Sequence, residues 1–210
     1  MNWATLGMKR DKRKERKVRS RILILCEGET EKNYFQAIKE AEEYQQILSA
    51  LTVKVAVAKH PAAEHLVEEA IQLAGKAVKE NNAYDQIWVV FDHDNEAHRK
   101  KAYDKALAEN YSIAFSAIAF EVWYLLHFIR TSRSFKDGKE LISELKKHYP
   151  VYEKARQNDF VYLKDKLQNA FNNSIWLRNQ LQEKTHITDQ TVWTDVDLLV
   201  TNLINQNTND

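Results

Sequence analysis

The stretch Ile22-Leu23-Ile24-Leu25-Cys26-Glu27-Gly28-Glu29-Thr30 decides the fold. Five consecutive apolar residues leave no polar face, so the segment reads as a strand buried on both sides, as in parallel sheets. It meets a turn at Glu-Gly-Glu. Thr30 is placed to cap the helix that follows, on which Tyr34, Phe35 and Ile38 share one face.

Outward from this strand, residues 52–58 alternate Val53, Val55 and Val57 with Lys54 and Ala56, the pattern of an edge or half-exposed strand. Pro61 opens a helix running through Leu66, Ala70 and Leu73 towards Val78, and Asn81-Asn82 stops it. Residues 86–91 form a third strand, which ends in Asp92-His93-Asp94. A polar helix over 96–109, a fourth strand over 112–117 and a helix over 120–129 follow. Strands alternating with helices at this spacing predict βαβ units in an α/β fold with an about four-stranded, mostly parallel sheet. From Phe135 onward the pattern is helical. Asp137-Gly138 opens one helix, residues 160–182 keep a helical apolar period, and Thr194 caps a last helix carrying Val196, Leu199, Val200 and Leu203. The chain thus divides into a basic tail (1–20), an α/β domain (21–130) and a helical C-terminal extension packed on it (131–210).

Composition narrows the class. In 210 residues, 44% are hydrophobic, enough for a real core, and only 4 Gly and 2 Pro argue for a helix-rich chain. The single cysteine, Cys26, excludes an internal disulfide and fits a reducing cytoplasm. No apolar stretch follows the N-terminal charges, so no signal peptide is expected. The greasiest run, 113–129, is interrupted by Glu121 and His127 and reads as strand plus core helix, not a membrane span. The net charge of +1 hides a basic run over 9–21, Arg13 and Arg16 included, opposed only by Asp11 and Glu15. Such a run either contacts nucleic-acid phosphates or serves as a solvated tail.

The chemistry collects at strand ends. In an open parallel sheet, functional groups gather beyond the carboxyl ends of the strands. Glu27 follows the first strand, Asp92 follows the third, and Asp94, two residues on, points to the same side as Asp92 in an extended segment. Were these strands neighbours, their ends would lie roughly 5 Å apart. Three carboxylates there repel without a cation, and Mg²⁺ (or Mn²⁺) takes oxygen ligands while keeping waters and room for a phosphate. Gly28 lets the chain turn and a phosphate approach the backbone. Lys32, one turn into the helix, reads as a surface lysine or a weak phosphate contact. Each acid alone is an ordinary turn residue; the combination points to a metal site built from Glu27, Asp92 and Asp94, in which Glu27 could act as general acid or base.

These segments resemble a known family. Residues 22–35 (Ile-Leu-Ile-Leu-Cys-Glu-Gly-Glu-Thr-Glu-Lys-Asn-Tyr-Phe) look like the opening of the RloB-like family. Val89-Val-Phe-Asp-His-Asp94 looks like its acidic strand end, and Phe120-Glu-Val-Trp-Tyr-Leu-Leu-His-Phe128 like its helix motif. Tyr152-Glu-Lys154 and residues 192–200 match weaker family positions. Two departures stand out: Ala117-Ile118-Ala119 replaces the family's usual Ser-Asn-Pro, and residues 191–194 replace its Asn-Pro-Ser. The resemblance implies a Toprim-like fold and a metal-dependent nuclease acting on RNA or DNA. It also implies a place in bacterial anti-phage defence, with an AAA/ABC-type ATPase as a partner, and it leaves oligomerisation open. It makes Glu27 the Toprim glutamate and Asp92 and Asp94 the paired aspartates.

Other residues are weighed against plainer roles. Glu121 sits among Phe120, Val122 and Trp123, where a carboxylate needs a partner or a metal. His127 is a proton relay, a phosphate contact or a hydrogen-bonded core histidine. Six residues apart, the two point roughly 120° from each other on a helix and need not share a site. Cys26 reads as a buried strand cysteine, and Trp123, Trp176 and Trp193 as core or interface residues. Two rival functions remain. Val-Val-Phe-Asp-His-Asp also resembles the nucleophile strand of haloacid-dehalogenase-type phosphatases. A non-catalytic subunit binding nucleic acid or an ATPase is the other; no Walker A motif is present.

Overall fold

The computed structural model describes residues 19–60, 62–93, 98–155, 158–180 and 186–205. Residues 1–18 of the basic tail, with Arg13 and Arg16, and also Pro61 and Asp94, lie outside the described residues, and Ser20 belongs to β1.

In chain order the elements are β1 (Ser20–Cys26), α1 (Glu29–Glu40), α2 (Gln45–Leu48), β2 (Leu51–Val57), α3 (Ala63–Lys79), β3 (Gln86–Asp92), α4 (Arg99–Ala108), β4 (Ser112–Ala117), α5 (Glu121–Leu126), α6 (Gly138–His148), α7 (Phe160–Leu163), α8 (Leu167–Asn179), β5 (Trp193–Thr194) and α9 (Val196–Ile204). The strands form one five-stranded sheet in the order β2-β1-β3-β4-β5, parallel except for the short antiparallel β5.

The unbroken apolar run of β1 has a direct physical cause. Ile22, Ile24 and Cys26 face one core with α1, α5, α8 and α9. Leu23 and Leu25 face a second core with α3 and α4. Each fully buried Leu or Ile contributes roughly 1.5–3 kcal/mol relative to exposure, so every residue of the run holds a helix layer in place. β2 is the edge strand, as its alternation predicts, with Thr52 and Lys54 exposed.

Several local expectations need correction. Thr30 does not cap α1; the helix begins at Glu29, Gly28 occupies the cap position, and Thr30 is buried in the first turn. Asp137 does cap α6, its carboxylate accepting the Glu140 N–H. Residues 160–182 are not one helix: a 3₁₀ turn at Lys164–Lys166 separates α7 from α8. Thr194 belongs to β5, and Asp195 holds the cap position of α9, although the Thr194 hydroxyl accepts the Val196 N–H at 3.3 Å. The C-terminal segment therefore adds a strand to the sheet as well as helices. Among the described residues, no helix is long and apolar enough to cross a membrane.

Candidate metal and phosphodiester site

The topology creates the site. From β1 the chain passes to β2 on one side, and from β3 to β4 on the other. The carboxyl ends of β1 and β3 are therefore the switch point of the sheet, where loops diverge and leave a crevice. Glu27 and Asp92 stand at these two ends. The Glu27 N–H donates to the Val90 carbonyl at 2.9 Å, continuing the ladder. Its carboxylate accepts the Asp92 N–H at 3.1 Å, and the Asp92 carboxylate accepts the Phe120 N–H at 3.3 Å. The two strand ends and the entry to α5 are thus joined in series.

A cleft of about 490 Å³ opens here, lined by Glu27, Gly28, Glu29, Thr30, Glu31, His60, Ala62, His65, Asp92, Lys154 and Ala155. Glu31 was not singled out from sequence. It is only 6% exposed, and its Oε2 has no hydrogen-bond partner among the described residues. Burial first, and the charge of Asp92 second, push its pKa up to about 7. Gly28 explains how it fits. The Gly28 backbone is extended (φ −132°), so no left-handed conformation is needed. A Cβ there would lie 2.8 Å from Glu31 Oε2, so the glycine provides space for the Glu31 carboxylate.

Glu121, at the start of α5, is fully buried behind this cleft. The Tyr152 hydroxyl donates to its Oε1 at 2.6 Å, and the Lys154 ammonium lies 4.0 Å from the same oxygen. Its Oε2 has no hydrogen-bond partner among the described residues. Burial and Glu121 raise the Tyr152 pKa, keeping that phenol a donor. His60 and His65, also not anticipated, meet edge to face at 5.7 Å on the cleft wall.

The remaining expected residues sit elsewhere. His127 does not line the cleft. It is fully buried, its Nδ1 lies 2.9 Å from the Trp123 carbonyl, and burial lowers its pKa to about 4. A carbonyl can only accept, so Nδ1 carries the proton, and the lowered pKa keeps the ring neutral near pH 7. Lys32 pairs with Glu29 at 2.9 Å and is not a lining residue. The Cys26 thiol is buried and its pKa is raised well above normal, which leaves it unreactive.

A family model described as RloB-like protein matches residues 22–203. The chain belongs to the RloB-like protein family. No curated protein and no solved structure matches it. Ile118, Ala119 and Thr191 line a second cavity that adjoins Asp92.

The carboxylates that line the cleft suit hard cations such as Mg²⁺ or Mn²⁺, and the Thr30 hydroxyl and the imidazoles of His60 and His65 line it beside them. The partnerless oxygens of Glu31 and Glu121 fit such an ion. Among the described residues, no three His, Cys, Asp or Glu side chains converge as a ready ligand group.

Proposed function

We propose that the chain is a Toprim-like, divalent-metal-dependent nuclease that hydrolyses phosphodiesters of RNA or DNA. One observation carries the reading: Glu27, Glu31 and Asp92 line a single cleft at the switch point of the sheet, and Glu31 is almost fully buried there with an oxygen that has no hydrogen-bond partner among the described residues. Such a crowd of like charges is costly unless a cation or protons offset it.

Glu31 and Asp92 are the residues that would hold Mg²⁺ or Mn²⁺, with Glu121 behind them. When bound, the ion would supply polarisation of the phosphoryl oxygen and a water of lowered pKa. Glu27 stands at the end of β1, oriented by the Asp92 N–H, where its carboxylate could take a proton from an attacking water or return one to the leaving oxygen. Lys154 offsets substrate charge at the cleft wall. Tyr152 fixes the Glu121 carboxylate, so the acidic cluster keeps its shape when the cation arrives. A role in bacterial anti-phage defence, and an ATPase partner, are supported by the family resemblance alone.

The test is cleavage of single- and double-stranded RNA and DNA with Mg²⁺ or Mn²⁺. Glu27→Ala and Asp92→Ala are each expected to reduce cleavage by roughly 100-fold or more. Equal activity in both variants would sink the proposal. A phosphoryl adduct trapped on Asp92 would replace it with the phosphatase reading.

A further inference from the structure

The carboxylate cleft does not end at Asp92. Asp92 and Lys154 also line a second cavity, of about 240 Å³. Ala119 and Phe135, both buried, and half-buried Ile118 form its apolar side. Lys136, Asp137 and Thr191, all exposed, form its rim.

We propose that this second cavity is a nucleobase subsite, which takes the base next to the phosphodiester held at Glu27, Glu31 and Asp92. The inference rests on the nuclease reading and narrows its substrate class. Continuity is the first argument. The two cavities share Asp92 and Lys154, so a ligand whose phosphate sits in one has its neighbouring group directed to the other. Size is the second: the cavity falls below the roughly 300 Å³ at which pockets for larger small molecules begin, and suits a single heterocycle.

Chemistry is the third argument. An apolar wall receives the flat face of a base, and a polar rim receives its edge. Here the rim offers an ammonium donor (Lys136), the Asp137 carboxylate, one oxygen of which accepts the Glu140 N–H, and the Thr191 hydroxyl, which pairs with the Ser134 hydroxyl at 2.7 Å and keeps a further lone pair. Lys136 and Lys154 also set positive charge along a path otherwise dominated by carboxylates, which a polyanion requires. A paired, stacked base cannot enter such a cavity. The substrate class that fits is therefore single-stranded nucleic acid or an unpaired loop.

Gly138, at the start of α6, allows the cavity to be filled. Its φ is not positive, and a Cβ there meets only the Ala119 Cβ, at 3.9 Å. The experiment measures Mg²⁺-dependent binding of AMP, CMP, GMP and UMP against ribose 5-phosphate, in the wild type and in Gly138→Leu, with Gly138→Ala as the folding control. At least one nucleotide should bind the wild type about tenfold tighter than ribose 5-phosphate, as stacking of one base predicts. Gly138→Leu should erase that preference and leave ribose 5-phosphate binding unchanged. If the wild type binds nucleotides no better than ribose 5-phosphate, the subsite is overturned whether or not the variant folds. The same holds if Gly138→Leu is folded and keeps the preference. Lack of preference in a protein that still cleaves nucleic acid refutes the subsite alone. A clear preference in a protein that cleaves nothing leaves the subsite standing and refutes the nuclease reading.

Discussion

Glu31 and His127 are both buried ionisable residues on the α1–α5 side of the sheet, and each keeps one polar atom without a hydrogen-bond partner among the described residues. Burial is the largest cause of the displaced pKa in both, upward to about 7 for Glu31 and downward to about 4 for His127. Their surroundings differ. Glu31 lines the cleft and feels Asp92, Glu121 and Lys154. His127 is held by its own helix, through the Trp123 carbonyl, with its ring 4.8 Å from the Trp123 ring. A displaced pKa alone therefore does not mark a site; the like charges that share the cleft with Glu31 do.

The largest expected effect tests that contrast through activity. Glu31→Gln and Asp92→Asn should each lower metal-dependent cleavage by roughly 100-fold or more, while His127→Gln should change it by less than about threefold once folded. Single-turnover rates decide this, and an equal loss in His127→Gln would erase the distinction.

Stability against pH separates the two residues by sign. Glu31 has a folded pKa above its unfolded value. The metal-free protein should lose up to about 3 kcal/mol on this account as pH rises from about 4.5 through 7, and Glu31→Gln should not. For His127 the folded pKa lies below the unfolded one. Stability should fall as pH drops from about 6.5 towards 4, again by up to about 3 kcal/mol, and His127→Gln should flatten that limb. Urea denaturation of both variants from pH 4 to 8 shows whether the slopes oppose each other.

Metal should act on only one member of the pair. Mg²⁺ or Mn²⁺ at a hundredfold excess over its Kd should stabilise the wild type and His127→Gln by about 2.7 kcal/mol, with much less gain in Glu31→Gln; removal with a chelator should reverse it. A thermal shift with and without metal measures this. The smallest effect belongs to Lys32→Ala. It removes only the exposed pair with Glu29 and should cost no more than about 0.5 kcal/mol, with cleavage unchanged.

Much of this architecture can be read from the chain. The apolar run of β1, the alternation of β2 and the Asp137 cap each carry a local signal that the structure follows. β5 has two residues and no periodicity to detect, and no Gly or Pro marks the break at Lys164–Lys166. Glu27, Asp92 and Gly28 are visible because they end strands. Glu31 escapes notice in the charged string Glu29-Thr30-Glu31-Lys32, where it looks solvated. Yet it lies three, four and seven residues before Tyr34, Phe35 and Ile38, on their buried face, and that spacing was the available clue. Tyr152 and Lys154 offered no comparable clue to their partner, because only the fold brings them to Glu121.

That last contact bears on inheritance and engineering. Glu121 belongs to the α/β half of the chain, whereas the hydroxyl and the ammonium nearest its Oε1 come from the stretch after α6. A chimera joined near residue 130 would pair a buried acid with whatever a foreign partner segment presents. Exchange of one half between relatives should fail unless Tyr152 and Lys154 travel with Glu121.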